Sequence, residues 1–363
     1  SSSRDVCTVS RSIAWMSKRV PKFYRICLGK DSIHNQELAH EDGLRSYASF
    51  LCLREADITA FKGDVLISST NPRLQGTYKR NWWGFASRSS ADASLHTRFD
   101  SSHANGQVFL QRAAQLATNA LHAQNNEFCT RLPYGAAVLT RSRKASIRES
   151  VREASSSFFE FLAPAIKCAV EAVGALRAPG ATSFPDDIIG VDYVVMTCVP
   201  THPQSPLAND PRPLPTDIRE EIAVSVDEAE DLLQKAYANA LKIACSDELI
   251  VQDPLLAEVR RICLPVIGAG CRGYPRDVVT RIGLQSILSI LVEQCQDSQN
   301  HQRPWGRGRT YVEVRFRDTL LFLHWQHELE QLMVNSADVG LRPFNISACT
   351  EDVASCSGVQ SFL

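Results

Sequence analysis

The segment Pro265-Val266-Ile267-Gly268-Ala269-Gly270-Cys271-Arg272-Gly273, followed by Tyr274-Pro275, constrains this chain more than any other. A continuous apolar stretch from Ile262 to Ile267 leads into it, with the character of a buried strand. After Pro275 a helix pattern begins at once over Asp277 to Val292, with Val278, Ile282, Leu288 and Leu291 inside and Gln285 on the boundary. Glycines between a strand and a helix let the backbone come close to a ligand. The N–H groups there, with the positive end of the next helix, suit a phosphate. Two readings stand on this loop alone: a phosphate cradle in an α/β protein, and a tight turn with no ligand.

A second cluster adds to the first. It runs Ala56-Asp57-Ile58-Thr59, then Gly63-Asp64-Val65-Leu66-Ile67-Ser68-Ser69-Thr70-Asn71, then Leu74-Gln75-Gly76. Further blocks follow in order: Ala91 to His96, Gly135 to Thr140, Tyr193 to Pro200, and the helix pattern from Asp231 to Ala244. Together with the glycine loop these blocks resemble the macro domain, the family that binds ADP-ribose. The resemblance spans roughly residues 55 to 330 and implies an α/β fold, a three-layer α/β/α sandwich with a central mixed sheet. Alternating strand and helix patterns point independently to a mostly parallel or mixed sheet covered on both faces.

Composition narrows the setting. Net charge is −1, so no bulk attraction to nucleic acid or membrane is implied. No apolar run approaches the roughly 18 residues of a membrane span, and no membrane partner is expected. The twelve cysteines are scattered, with no C-x-x-C pair and no Cys/His grouping at zinc spacing. Free thiols in an intracellular reducing compartment are expected, with no metal site and no cofactor. The first thirty residues carry Arg4, Arg11, Lys18, Arg19, Lys22, Arg25 and Lys30 against Asp5. Organelle-targeting segments share that bias, so mitochondrion or plastid stands beside cytoplasm or nucleus. A basic extension that packs on the domain or binds a partner is the other reading.

The pattern along the chain predicts a basic extension over residues 1–54, with an edge strand near Ser46 to Arg54. A macro-like domain over 55–335 follows, then a loose polar tail over 336–363. Ile58 to Thr70 reads as two short strands split near Lys62-Gly63. Val108 to His122 reads as an amphipathic helix, Val226 to Cys245 as another, and Ser146 to Val173 as a helix interrupted at Pro164. The proline-rich stretch Pro200 to Pro215 reads as a surface loop. Glu313 to Leu323 is expected to hold one or two strands, and Gln326 to Met333 a final helix.

The resemblance implies a site. Asp57 would accept the adenine amino group, with Ile58 beside it; a turn-forming Asp is the plain alternative. Gly268, Ala269, Gly270, Cys271, Arg272 and Gly273 would wrap the diphosphate and distal ribose. Arg272 would either pair with a phosphate or point into solvent. Tyr274 and Phe316 are candidate ring partners by rough position. Asn71 would hold the distal ribose, and Asp92 would orient or activate water, as in the family's hydrolytic branches. Asp92 is equally suited to cap a helix. His96 is expected to be a packing residue.

This chain also departs from the family. Ser68 stands where the family has an Asn, and Gly268-Ala269 where it often has Ser-Thr. The usual glycine run before Asp92 is replaced by an insertion at about 77–90 that carries Trp82 and Trp83. A second insertion covers about 141–190. Three functions follow: an ADP-ribosyl hydrolase, a reader that binds ADP-ribose or an ADP-ribosylated macromolecule without turnover, and a scaffold subunit whose insertions meet a protein partner.

Overall fold

The computed structural model describes residues 21–28, 49–74, 79–80, 86–87, 91, 94–95, 114, 117–118, 131–142, 183–184, 190–205, 224–246, 249, 259–270, 272–300, 309–335 and 339–344. Its strands are β1 (Lys22–Leu28), β2 (Ser49–Glu55), β3 (Gly63–Thr70), β4 (Lys79–Arg80), β5 (Ala86–Ser87), β6 (Ala137–Ser142), β7 (Ser183–Phe184), β8 (Val191–Cys198), β9 (Val259–Pro265), β10 (Arg309–Phe316) and β11 (Val339–Phe344). Its long helices are α1 (Val226–Ala244), α2 (Arg276–Asn300) and α3 (Thr319–Asn335). Among the described residues, nine strands form one sheet in the order β11-β1-β2-β10-β9-β3-β8-β6-β7, and β4 and β5 form a separate antiparallel ribbon.

Five consecutive strands of that order, β2-β10-β9-β3-β8, run parallel. Both flanks are mixed: β1 is antiparallel to β2 and to β11, and β6 is antiparallel to β8. The side chains of the parallel strands alternate between two buried faces. Leu51, Leu53, Val65, Ile67, Tyr193, Val195, Ile262, Leu264, Val312 and Val314 meet α1, α2 and α3. Leu66, Val194, Met196, Cys198 and Cys263 meet Ile58, Phe61, Leu74, Leu95 and Ala114 on the other side. Ala91, Ser94, Leu95, Ala114, Ala117 and Thr118 are helical there. Helices therefore cover both faces, and the three-layer α/β/α expectation holds.

Helix α1 is the element that holds the glycine loop. Ser225 caps it, with Oγ accepting from the Glu228 N–H at 3.2 Å, a contact typically worth about 1 kcal/mol. Ala229, Leu233, Ala236, Tyr237, Ala240, Leu241 and Ala244 form its buried stripe at helical spacing. Its last carbonyl, Ala244 O, accepts from Arg260 at the start of β9 at 3.5 Å, and Arg260 also donates to Leu249 O beyond the helix at 3.3 Å. A cation at a helix carboxyl end also offsets the helix dipole.

Several sequence expectations need correction. Ile58–Ala60 is a single 3₁₀ turn, and only Gly63–Thr70 is a strand, because Asp57 captures the Thr59 N–H and curls the chain. The strand expected near Ser46 to Arg54 forms as β2, yet it lies inside the sheet with β1 and β11 beyond it. Segments from outside 55–335 thus complete the sheet, so those boundaries cut across it: β1 comes from the basic extension and β11 from the polar tail. Leu320 to Leu323 are helical, since Asp318 caps α3 by accepting from Leu320 N at 2.9 Å and Leu321 N at 3.5 Å. The helix expected over Ser146 to Val173 lies outside the described residues, as do Trp82 and Trp83.

Gly283 in α2 marks a tight helix contact. A Cβ there would sit 2.5 Å from Trp325 Cη2 and 3.1 Å from Tyr237 Oη. Trp325 is wholly buried against Phe316, ring centroids 5.5 Å apart. Ala is a better helix former than Gly by about 1 kcal/mol, but overpacking a closed core costs about 1–3 kcal/mol. Gly283→Ala is therefore expected to lower the urea midpoint with an unchanged slope; a raised midpoint would contradict this packing.

Candidate functional site

Parallel strands place their carboxyl ends on one edge, and that edge is where open α/β sheets take ligands. Asp57 follows β2, Arg317 follows β10, the glycine loop follows β9, Asn71 follows β3, and Thr201 and His202 follow β8. Neighbouring strands lie about 4.8 Å apart. Asp57 and the glycine loop are thus about 10 Å apart across the sheet, and Asn71 is one strand further on.

Asp57 is half-exposed and heavily engaged. Its Oδ1 accepts from Thr59 N and Thr59 Oγ1, both at 2.9 Å. Its Oδ2 pairs with Arg317 Nη2. Burial pushes this carboxyl upward, but the bonds from Thr59 and the Arg317 guanidinium outweigh that and hold it below the usual carboxylate value. It remains an anion that can accept a further hydrogen bond on Oδ2. Ile58 is buried beneath it.

A charged cluster supports the turn from the sheet. Arg315 donates from Nη1 to Asp57 O at 2.6 Å and from Nε to Glu313 Oε1 at 2.6 Å. Its guanidinium lies 5.3 Å from the Phe61 ring centroid. Glu313 also accepts from Tyr311 at 3.0 Å and pairs with Arg54 at 3.6 Å. Cys52 sits in the same cluster, its thiol pushed up to about 12 by burial and by Glu313, so it is neutral.

The glycine loop is pinned at both ends to α1. Tyr237 Oη accepts from Ile267 N at 2.8 Å before the glycines, and Tyr274 Oη donates to Ala229 O at 3.0 Å after them. Within the loop, Gly273 N donates to Gly270 O at 3.1 Å and Tyr274 N to Gly268 O at 3.2 Å. Ala269 packs partly on the core and Gly270 is exposed. The positive end of α2 follows immediately.

The loop after β8 lies against the glycine loop. His202 N donates to Arg272 O at 2.9 Å, and Arg272 Nη1 donates to Thr201 Oγ1 at 3.2 Å. The His202 ring lies 4.9 Å from that of Tyr274. Its Nδ1 accepts from Gln204 N at 3.3 Å, so the proton of this imidazole sits on the buried Nε2. Burial lowers the His202 pKa, against a smaller opposing pull from Glu230. The chain from Pro200 to Ser205 read as surface loop, yet Pro200, His202 and Ser205 are buried because they support the glycines.

Other sequence assignments fare differently. Arg272 is 5% exposed, so the solvent-facing reading is wrong; it ties two loops together. Tyr274 and Phe316 are core aromatics: the Tyr274 hydroxyl is engaged by Ala229, and Phe316 packs edge-on against Phe322 and Trp325. Tyr274 therefore props the loop from beneath, which corrects its reading as a ligand contact. Asp64, matched in the sequence blocks, is structural: its Oδ2 accepts from Arg261 N at 2.8 Å and fastens β3 to β9. Asn71 is buried at the end of β3, where its carbonyl accepts from Leu74 N at 2.9 Å. Asp92, His96 and Cys271 lie outside the described residues. Cys198 donates to Leu132 O and Pro133 O, and burial raises its thiol to about 12, so it is no nucleophile.

The sequence reading missed Arg315 and Arg317. Their signal was present: Glu313, Arg315 and Arg317 alternate with Val312, Val314 and Phe316, a charged period-2 row inside an apolar strand. Such a row on a buried strand must find partners, and here the partner is the Asp57 turn.

No family model matches the chain, and no curated protein matches it. Solved structures of macrodomains are similar to it. The Oceanobacillus iheyensis macrodomain with ADP is 18% identical with a TM-score of 0.43, covering 79% of this chain and 93% of that one. The same macrodomain with MES is 18% identical with a TM-score of 0.42, covering 79% and 94%. The Trypanosoma brucei macrodomain in complex with ADP-ribose is 14% identical with a TM-score of 0.37, covering 77% and 68%.

Two glycines separate the packed side of the loop from its open side. Gly273 has φ +65°, and a Cβ there would lie 1.9 Å from Ser205 Oγ and 2.5 Å from Ser205 Cβ. A Cβ on Gly270 would meet nothing within 4 Å. Gly273→Ala is expected to destabilise the protein by about 1–3 kcal/mol, and Gly270→Ala to stay within about 0.5 kcal/mol of wild type. Chemical denaturation of both variants checks this; equal losses would mean that the loop is packed alike on its two sides.

Proposed function

We propose that the chain binds ADP-ribose along the carboxyl edge of its parallel strands. The observation that carries this reading is the arrangement of three unlike groups on one edge. A carboxylate suited to a base amine stands at Asp57, a glycine loop at a helix amino end stands two strands away, and Asn71 stands one strand further. That order matches adenine, diphosphate and distal ribose laid across the strand ends. The backbone N–H groups of Gly268, Ala269 and Gly270 and the positive end of α2 meet the diphosphate. With Gly268-Ala269 in place of hydroxyl side chains, the loop binds through backbone donors.

Asp57 reads the base. A hydrogen bond from a neutral amine to a carboxylate is worth about 1.5–3 kcal/mol when water is excluded. Asp57→Ala is therefore expected to weaken ADP-ribose by about 10-fold to 100-fold in calorimetric titration. It should leave ribose 5-phosphate, which has no base, nearly unaffected. No heat from the folded wild-type protein would overturn the binding reading.

Removal of ADP-ribose from a modified macromolecule extends this proposal. Asn71 would hold the distal ribose, and Asp92 would activate water toward the anomeric carbon. Release of ADP-ribose by wild type, lost in Asn71→Ala and Asp92→Ala while binding persists, is the expected result for a hydrolase. Binding without release defines a reader.

A further inference from the structure

We propose that Arg317 is a positioning residue that couples the base-reading carboxylate of Asp57 to the helical turn around Ser94. This rests on the ADP-ribose reading for its ligand, and on side-chain geometry for its mechanism.

Arg317 Nη2 bonds in two directions: to Asp57 Oδ2, and to Ser94 Oγ at 2.8 Å. Asp57 follows β2, Arg317 follows β10, and Ser94 belongs to the layer that covers the opposite face of the sheet from α1 to α3. One guanidinium thus joins three separate parts of the chain at the candidate base end. Leu95, beside Ser94, is wholly buried among Leu66, Val194 and Met196. The turn that Arg317 grips is therefore anchored in the core, and Arg317 transmits a fixed position to Asp57.

Two charged side chains meet the Asp57 turn among the described residues, both from the end of β10. Arg315 holds its backbone carbonyl from below, and Arg317 holds its carboxylate from above. The two grips divide the work. Arg315 fixes where the turn sits, and Arg317, acting on Oδ2 while Thr59 holds Oδ1, helps fix which way the carboxylate faces and adds to the bonds that lower its pKa. Thr59 takes both bonds on Oδ1, so a ligand amine must approach Oδ2, the oxygen that Arg317 orients. An arginine can hold Oδ2 and still leave one lone pair for the amine. Arg317 then assists binding without being displaced.

The pair is accessible, with side chains 38% and 44% exposed, so its strength is that of a surface contact. Substitutions at Arg317 and Ser94 should accordingly leave the fold intact. Calorimetric titration with ADP-ribose on the full chain, wild type against Arg317→Gln, Ser94→Ala and the double variant, tests the coupling. Arg317→Gln is expected to weaken binding about threefold to fivefold. Ser94→Ala should weaken it less, and should add nothing in the Arg317→Gln background, because the contact it removes is already gone. Arg317→Lys should restore part of the loss. Losses that multiply, or tighter binding in Arg317→Gln, overturn the coupling; tighter binding would mean that the arginine competes for the carboxylate.

A second measurement needs no ligand. Titration of the Asp57 carboxyl carbon by NMR should place it below the usual carboxylate range in wild type, and higher in Arg317→Gln, while Arg317→Lys keeps it low. The acid limb of ADP-ribose binding should move upward with it, since the charged carboxylate is lost as pH falls through its depressed value. An unchanged Asp57 titration in Arg317→Gln overturns the positioning role. A wild-type protein that titrates as expected yet ignores ADP-ribose overturns the binding reading instead.

Discussion

Five parallel strands in unbroken succession set the terms for everything else in this molecule. A parallel pair cannot be closed by a tight turn, so each strand is followed by a crossover that leaves from the same edge. Five carboxyl ends therefore open side by side, and the short segments after them must find their hydrogen bonds from one another. This is why Ala56 N reaches Phe316 O and His202 N reaches Arg272 O. The candidate site follows from a topology that gathers polar backbone at one edge.

The same topology explains the charged cluster under Asp57. β2 and β10 are buried on both faces, and one face carries Arg54, Tyr311, Glu313 and Arg315. Burying such groups costs several kcal/mol per ion unless the geometry compensates. Here Glu313 is shared by Tyr311, Arg315 and Arg54, and Arg315 continues to the Asp57 carbonyl. Breaking one member of such a set typically costs about 3–5 kcal/mol. An apolar core would fill that space with less desolvation, so the cluster is explained by what it positions: a turn with few apolar contacts of its own beyond Ile58 and Phe61.

Much of this was legible in the sequence. The blocks around Asp57, Asp64, Asn71 and the glycine loop gave the fold class and the edge on which the candidate site lies, because strand-loop-helix punctuation by glycine is a local signal. α1 was readable from its stripe of Ala229, Leu233, Ala236, Tyr237 and Ala240. What escaped was long-range. The sequence cannot show that Tyr237 and Tyr274 both bond across to fix one loop, or that Arg272 is drawn inward by Thr201. Nor does it show that β1 and β11, distant in the chain, pair with each other over Phe23↔Phe344 to Leu28↔Val339. The misread helix start at Leu320 has the same origin: apolar residues after Phe316 look like more strand until Asp318 is seen as a cap.

The Asn71 end of the edge differs in kind from the Asp57 end. At Asp57 itself each carboxylate oxygen has a partner and the turn is gripped twice. Along β3, which leads to Asn71, the buried hydroxyls of Ser68 and Thr70 have no hydrogen-bond partner among the described residues. An unsatisfied buried hydroxyl costs about 1–3 kcal/mol, and two on one face of one strand end is an arrangement that stability alone does not favour. They lie where the strand meets the edge, two residues apart and facing the layer that includes Ala91 and Ser94. Under the proposed ADP-ribose reading, a gripped Asp57 beside under-satisfied hydroxyls near Asn71 is the division expected of a site that recognises one part of its ligand rigidly and receives the other through groups completed on binding.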